Sequence, residues 1–215
     1  MVTEQNERLS KLVRTLLDMS ELQTVARNEK IEMQGLIEEV LADLEPLAQE
    51  KNIELIQKTQ NSSDGRTGGT EESLLVACSV NSNEKPEDEL ILTGSDILIY
   101  RMLYNLVENA IKYNHENGWV HVSLNADHKY FYLKVEDSGL GIPQEDQAHI
   151  FERFYRVDKS HSREIGGTGL GLAIARNAVI VHRGSIKVHS NEGEGTTFTV
   201  RIPLIYTTVP EGVGR

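Results

Sequence analysis

The sequence predicts one α/β core, because helical and strand-like patterns both recur along the chain. Residues 103–114 carry apolar side chains at helical spacing, whereas residues 119–125, 130–136 and 196–203 have the composition of short strands. With 215 residues, 39% of them hydrophobic, the chain can bury one substantial core, with room for an appendage.

Charge and composition exclude several classes of partner and site. The net charge of −11 argues against nucleic acid or an anionic membrane as the main partner. Cys78 is the only cysteine, so an internal disulfide or a cysteine-rich metal site is excluded, and its apolar surroundings predict a core thiol. The polar N-terminus is no signal peptide, and no apolar run approaches the roughly 20 residues of a spanning helix. We therefore expect a soluble, cytoplasmic-type polypeptide.

The N-terminal part reads as two helices followed by short strands. An amphipathic helix over residues 4–26 could dock on the following domain or form half of an interchain bundle. A second helix is predicted over residues 34–51, with a kink or break at Pro46. The remaining predictions are strands at 53–58, 74–80 and 89–93 and a polar, glycine-rich loop at 61–72.

The C-terminal part supplies the rest of the core. Ser95 or Asp96 can cap the central helix. Two strands, at 119–125 and 130–136, are predicted after the Asn117-Gly118 turn. The later elements are helices at 144–151 and 170–182, a hairpin of strands 185–190 and 196–203, and an unpatterned tail at 206–215.

The central helix carries an unusual polar stripe. Asn105, Glu108, Asn109 and Lys112 fall on one face because they are spaced i, i+3, i+4 and i+7. A solvated surface is the ordinary explanation, but asparagine is a poor helix former and two stacked asparagines gain nothing there. A carboxamide oxygen can bind magnesium, a lysine can bind phosphate and a glutamate can accept a proton.

Three further stretches carry chemical signal. Residues 137–143 (DSGLGIP) follow a predicted strand and could form a simple turn. Alternatively, the carboxylate of Asp137 at the strand end could accept a hydrogen bond from an exocyclic amine, with the glycines allowing close approach of a planar base. Residues 166–172 (GGTGLGL) open a helix and could bind an anion, yet they match neither the Rossmann fingerprint nor a P-loop. After FERFYR at residues 151–156, a polar segment supplies Arg156, Lys159 and Arg163, which could reach phosphates.

Together these stretches resemble the ATP-binding domain of sensor histidine kinases, within the ATPase class that includes DNA gyrase and the MutL repair proteins. LVENAIKYN is similar to that family's N box, DSGLGIP to its first glycine box, FERFYR to its F box and GGTGLGL to its second glycine box. GEGTTFTVRIP is similar to the family's final strand pair. The resemblance covers residues 32–204. It implies a two-layer α/β (α+β) sandwich of the Bergerat type, with a mixed sheet packed against helices.

The resemblance also implies a site for ATP and Mg²⁺. Asn109 would ligate magnesium, and Glu108 would accept the imidazole proton during transfer. Asp137 would bind the adenine amino group, supported by Thr196. The other residues implied to bind nucleotide are Asn105, Lys112, Tyr113, Gly139, Gly141, Ile142, Arg156, Gly167, Thr168, Gly169, Leu170 and Gly171. The segment between Ile150 and Gly166 would form a lid over ATP.

The implied reaction is in-line attack of a histidine nitrogen on the γ-phosphorus of ATP. None of the seven histidines fits the family's acceptor box, so we expect a chain that begins after the acceptor helix and scarcely phosphorylates itself. The implied organisation is a partial dimerisation helix at 1–30, a catalytic domain at 31–206 and a tail at 207–215. The implied partners are a response regulator and, in the full receptor, a second copy; the default location is the cytoplasmic side of a membrane.

Two other interpretations stay open at this point. A non-kinase ATPase of the same superfamily would hydrolyse ATP without transfer to histidine. A degenerate domain would act only as a binding or dimerisation module, although Asn109, Asp137 and both glycine boxes are intact.

Overall fold

In the part of the chain that the structure describes, the larger of two β-sheets forms one layer of the domain. The computed structural model describes residues 28–59, 90–157 and 168–204. Five strands lie in the order β2-β4-β5-β7-β6, with β2 parallel to β4 and every other pair antiparallel. The strands are β2 (Glu54–Thr59), β4 (Trp119–Ala126), β5 (Tyr130–Asp137), β6 (Ser185–Asn191) and β7 (Gly195–Pro203).

Three helices form the second layer, next to a small antiparallel sheet of β1 (Glu29–Glu32) and β3 (Ile91–Gly94). They are α1 (Met33–Gln49), α2 (Asp96–Lys112) and α3 (Gly171–Val181). Alternate residues of β4, β5 and β7 are buried and share one hydrophobic core with the inner faces of all three helices. The domain is therefore the α/β sandwich with a mixed sheet that the sequence predicts.

Most predicted elements are confirmed, but the predicted helix at 144–151 is wrong. Residues 144–151 form successive turns rather than a helix, with i→i+3 bonds such as Asp146 N–H to Pro143 O at 3.0 Å. Of the kink or break predicted at Pro46, the break is excluded: helix α1 continues through Pro46 to Gln49, because a proline so close to the C-terminus removes only one late hydrogen bond. The predicted helix 4–26, loop 61–72, strand 74–80, Cys78 and tail 206–215 lie outside the described residues. Within the described ranges, no helix has the length and apolar character needed to cross a bilayer.

Side chains from other elements hold both ends of α2. At its N-terminus, Glu29 Oε2 accepts the Asp96 N–H at 2.9 Å, and the Nε2 atom of His182 accepts the Ser95 N–H at 3.0 Å. Ser95, one of the two predicted alternatives, is the N-cap residue, although its hydroxyl is buried and makes no hydrogen bond within the described residues. The first donors of α2 are satisfied by tertiary contacts, which a local sequence pattern does not reveal.

Lys51 holds the opposite end of α2. Its Nζ atom donates to Lys112 O at 2.6 Å and also reaches Ile111 O and Asn114 O. Carbonyls at a helix C-terminus carry partial negative charge, so an ammonium group there is favourable. Burial lowers the pKa of Lys51, and Glu116 opposes that shift.

Replacing Lys51 with methionine should lower the free energy of unfolding by about 1–2 kcal/mol, because three carbonyl contacts are lost while the aliphatic stem is kept. Urea denaturation of Lys51→Met measures the effect. Lys187→Met, at an exposed lysine on β6, is the matched control and should change stability by less than about 0.5 kcal/mol. Equal effects of the two substitutions would contradict a specific role for Lys51.

Candidate nucleotide-binding site

The polar stripe of α2 faces the beginning of α3. A Cβ atom added at Gly171 would lie 2.7 Å from Asn105 Oδ1 and 3.6 Å from Asn109 Nδ2. The second glycine box therefore meets the N box without a side chain between them. This contact puts the positive N-terminal end of α3 beside the carboxamides of Asn105 and Asn109, an arrangement suited to phosphate groups.

Within the stripe, the side chains orient one another. Asn105 Nδ2 donates to Arg101 O at 2.6 Å, which directs its amide oxygen towards α3. Glu108 and Lys112 form an i,i+4 ion pair at 2.7 Å, with both side chains about four-fifths buried. The predicted proton acceptor and the predicted phosphate ligand thus hold each other in place.

Asp137 lies at the end of β5. It is 8% exposed, and its Oδ1 atom accepts the Gly139 N–H at 2.9 Å and the Thr196 N–H at 3.2 Å. Burial raises the pKa of Asp137 to about 6, although both backbone donors favour the charged form. Since both donors converge on Oδ1, we expect Oδ2 to be the oxygen that meets a ligand.

Two glycines of the first glycine box lie too close to neighbouring backbone atoms to be replaced by residues with side chains. A Cβ at Gly139 would lie 2.4 Å from Tyr113 O, the carbonyl at the end of α2. Gly141 has φ of +70°, and a Cβ there would lie 2.0 Å from Asn191 O. The Ile142 N–H donates to Ser190 Oγ at 2.8 Å, so the box is pinned between α2 and the β6–β7 hairpin.

The F box and the second glycine box are joined through their backbones. Phe154 N–H donates to Gly169 O at 2.8 Å, and both residues have positive φ, +67° and +71°. Leu170 is fully buried, whereas Thr168 and Arg156 are half-buried. Gly167, Lys159, Arg163 and most of the predicted lid lie outside the described residues.

Sequence reasoning missed three polar residues that support the site. Ser190 is buried and its hydroxyl bonds both Gly195 O and the Thr196 hydroxyl, so Thr196 supports Asp137 through its backbone rather than its side chain. Gln147 Nε2 bridges Ile142 O and Ser190 O. Asn114 is buried and accepts from Ser138 Oγ at 3.1 Å. Ser190 had a signal: it continues the inward period of Ile186 and Val188 with a hydroxyl.

The donor set suits magnesium only in its usual nucleotide-bound form. The described residues contain no cluster of three or more His, Cys, Asp or Glu side chains that could enclose a metal ion. A carboxamide such as that of Asn109 can offer one hard oxygen, and Mg²⁺ commonly takes one or two protein ligands, with water and substrate phosphates completing its octahedron. Asn109 and Asn105 fit that role next to α3.

Comparisons with known proteins identify the family of this chain. The family model described as "Histidine kinase-, DNA gyrase B-, and HSP90-like ATPase" matches residues 94–205, more than half of the chain. The chain belongs to this family. It carries the ATP-binding catalytic domain of a histidine kinase, because its curated relatives of this family are sensor kinases. Sensor histidine kinase RppB of Synechocystis sp. is 41% identical over 138 residues, which are 63% of this chain and 30% of RppB.

Two solved structures show the same fold. The catalytic domain of histidine kinase ThkA has a TM-score of 0.63 and 26% identity, covering 83% of this chain and 97% of that domain. A structure of ThkA in complex with response regulator protein TrrA has a TM-score of 0.65 at 24% identity, covering 94% of this chain and 49% of that one. The chain spans less than a third of the length of the curated relatives it matches.

Proposed function

We propose that this chain binds Mg²⁺-ATP and transfers the γ-phosphoryl group to a histidine on a dimerisation helix, for relay to a response regulator. The observation that carries the proposal is the contact between Gly171 and the carboxamides of Asn105 and Asn109. It juxtaposes a helix N-terminus suited to phosphates with two carboxamides, a side-chain group whose oxygen can bind magnesium. The ThkA–TrrA complex supports a response regulator as the partner.

In this proposal each part of the site has one task. Asp137 accepts the hydrogen bond of the adenine amino group, and Gly139 and Gly141 let the first glycine box pack closely against the backbone beside it. Lys112, Arg156 and the amides of residues 167–171 hold the phosphates. Magnesium, when bound with ATP, neutralises charge on the transferring group. Glu108 takes the proton from the attacking imidazole.

The organisation of the protein is also part of the proposal. Residues 1–30 would contribute to a dimerisation helix, residues 31–206 form the catalytic domain and residues 207–215 are a tail. A homodimer on the cytoplasmic side of a membrane would bring an acceptor histidine to the site. Since none of the seven histidines fits the acceptor box, the chain by itself should form little phosphohistidine.

Calorimetric titration with Mg²⁺-ATP tests the proposal. The unmodified chain should show saturable binding, and Asn109→Ala should weaken it about tenfold or more, because one metal contact is removed. Asn125→Ala, at an exposed asparagine on β4, is the matched control and should bind like the unmodified chain. Failure of the unmodified chain to bind ATP would overturn the proposal, and binding indifferent to Asn109→Ala would remove the metal from this residue.

A second assay separates a kinase from an ATPase of the same superfamily. The chain is incubated with γ-labelled ATP and the separately supplied dimerisation hairpin of a related sensor kinase. Acid-labile label on the hairpin supports phosphotransfer. Steady release of inorganic phosphate with no label on the hairpin would favour a hydrolytic ATPase.

A further inference from the structure

His182 is a buried titratable residue outside the site described above. It directly follows α3 as its C-cap residue and is 0% exposed. Its ring also contacts α2: Nε2 lies 3.0 Å from the backbone nitrogen of Ser95, at the start of that helix. The ring thus lies between the end of one site helix and the beginning of the other.

The hydrogen bonds of His182 determine its tautomer. A backbone N–H can only donate, so the Ser95 N–H requires that Nε2 carry no proton. The proton then lies on Nδ1, which donates to Ala178 O at 2.7 Å. His182 is therefore a neutral imidazole that accepts from α2 and donates to α3.

The ring of His182 fits against β3 because residue 94 is a glycine and has no side chain. A Cβ atom at Gly94 would lie 2.7 Å from Nε2 and 2.9 Å from Cδ2 of His182. Contacts this short do not occur for real Cβ atoms, so the end of β3 must be glycine for the imidazole to reach Ser95.

The two helices are tied to each other at two places. Gly171 meets Asn105 at one end of α3, and His182 meets Ser95 at the other end. The helices therefore run antiparallel. Ser95 and Asn105 are ten residues apart and Gly171 and His182 eleven, so at a rise of 1.5 Å per residue the two pairs are separated by about 15 Å along α2 and about 16 Å along α3. These lengths agree, so the two contacts together fix the axial position of α3 against α2.

We propose that His182 is a positioning residue for the phosphate and magnesium half of the nucleotide site. By fixing α3 along α2, it keeps the amides at the start of α3 opposite Asn105 and Asn109. The adenine half is built from β5, β7 and the first glycine box around Asp137, and none of the contacts described there involves His182. The inference rests on the proposed function, and it assigns a task to a residue that does not touch the nucleotide.

An isosteric pair of substitutions tests the proposal. The amide oxygen of glutamine can take the place of Nε2 and accept from Ser95, whereas asparagine reaches only the place of Nδ1. His182→Asn should weaken Mg²⁺-ATP binding about tenfold, as expected for loss of the buried hydrogen bond between His182 and Ser95. The affinity of His182→Gln for Mg²⁺-ATP should stay within about threefold of that of the unmodified chain. Adenosine affinity should change less than about twofold in either variant, since the residues that recognise adenine are separate from the contact between His182 and Ser95.

A matched control separates positioning from general destabilisation. Val179→Ala shortens a fully buried side chain of α3 without touching the bond to Ser95, and it should leave the ratio of ATP to adenosine affinity unchanged. Gly94→Ala is the second variant, because it displaces the ring from the side of β3. It should reproduce the selective loss of Mg²⁺-ATP binding even if His182→Asn fails to fold.

The outcomes are distinguishable. Selective loss of Mg²⁺-ATP affinity in His182→Asn or Gly94→Ala, with rescue in His182→Gln, supports the proposal. Mg²⁺-ATP binding by the unmodified chain that is unaffected by these variants, or lost together with adenosine binding, overturns the positioning role alone. Absence of Mg²⁺-ATP binding by the unmodified chain overturns the proposed function and, with it, this inference.

Discussion

Asp137→Asn should reverse the base preference of the site, so that the variant binds ITP more tightly than ATP. In the unmodified chain, the Oδ1 atom of the buried carboxylate accepts two backbone N–H groups, so Oδ2 is the atom that we propose accepts from the adenine amino group. Asparagine keeps an oxygen for the two backbone donors and turns an NH₂ group towards the base. That group repels an amino group but donates to the 6-oxo group of hypoxanthine.

The expected loss of ATP affinity is about 100-fold, because a charge-assisted hydrogen bond is replaced by two facing donors in a buried site. Calorimetry with ATP and ITP measures both affinities. Glu136→Gln is the matched control: its carboxylate is next to Asp137 on β5 but half-exposed on the other face, paired with Lys134. It should leave both affinities unchanged. An Asp137→Asn variant that still prefers ATP would contradict adenine recognition by this carboxylate.

The same substitution should stabilise the fold at neutral pH. The pKa of Asp137 rises from 3.8 to about 6 because burial disfavours the charge. A raised pKa means that the folded chain binds the proton more tightly than the unfolded chain, so this contribution to stability is present below pH 4 and is lost as pH rises through 6. Removing the charge should therefore add about 1–3 kcal/mol above pH 6.

Urea denaturation of the two proteins across this range measures the difference. The stability gain of Asp137→Asn should be largest above pH 6 and should shrink as pH falls towards 4, because the unmodified carboxylate is then protonated as well. Taking the difference between the two proteins removes the carboxylates that they share. A gain that is independent of pH would contradict the elevated pKa of Asp137.

Patterns of short range predicted most of this fold. Alternation of apolar residues placed β4, β5 and β7, and helical spacing placed α2 and α3, because one buried face imposes that period on each element. The stripe of Asn105, Asn109 and Lys112 was predicted for the same reason: residues three or four apart on a helix share a face whatever surrounds it.

Contacts between distant parts of the chain could not be predicted in this way. Ser95 has the chemistry of an N-cap, yet His182, 87 residues later, takes the backbone donor. Lys51 satisfies the carbonyls of α2 from about 60 residues away. Residues 144–151 have a helical pattern but form turns, in which Asp146 and His149 are backbone partners. Tertiary partners decide the two cases at the ends of α2, and local propensity is too weak to override them.

Glu108→Gln should slow phosphotransfer about 10²–10⁴-fold while changing the Kd for Mg²⁺-ATP by less than about threefold. A glutamine keeps the shape of the side chain but cannot take up the imidazole proton. The carboxylate is held 2.7 Å from the ammonium group of Lys112 on the face that carries Asn105 and Asn109. Single-turnover transfer of labelled phosphate to a supplied dimerisation hairpin, at saturating Mg²⁺-ATP, measures the chemical step.

The ion pair requires a control of its own, because Glu108→Gln also releases Lys112. Lys112→Met breaks the same pair but leaves the carboxylate, so it should raise the Kd for ATP and retain more of the transfer rate than Glu108→Gln does. Equal rate losses in the two variants would assign the effect to the ion pair rather than to proton transfer. Unchanged turnover in Glu108→Gln would remove this residue from the chemistry, since a general base at this position has no neutral substitute.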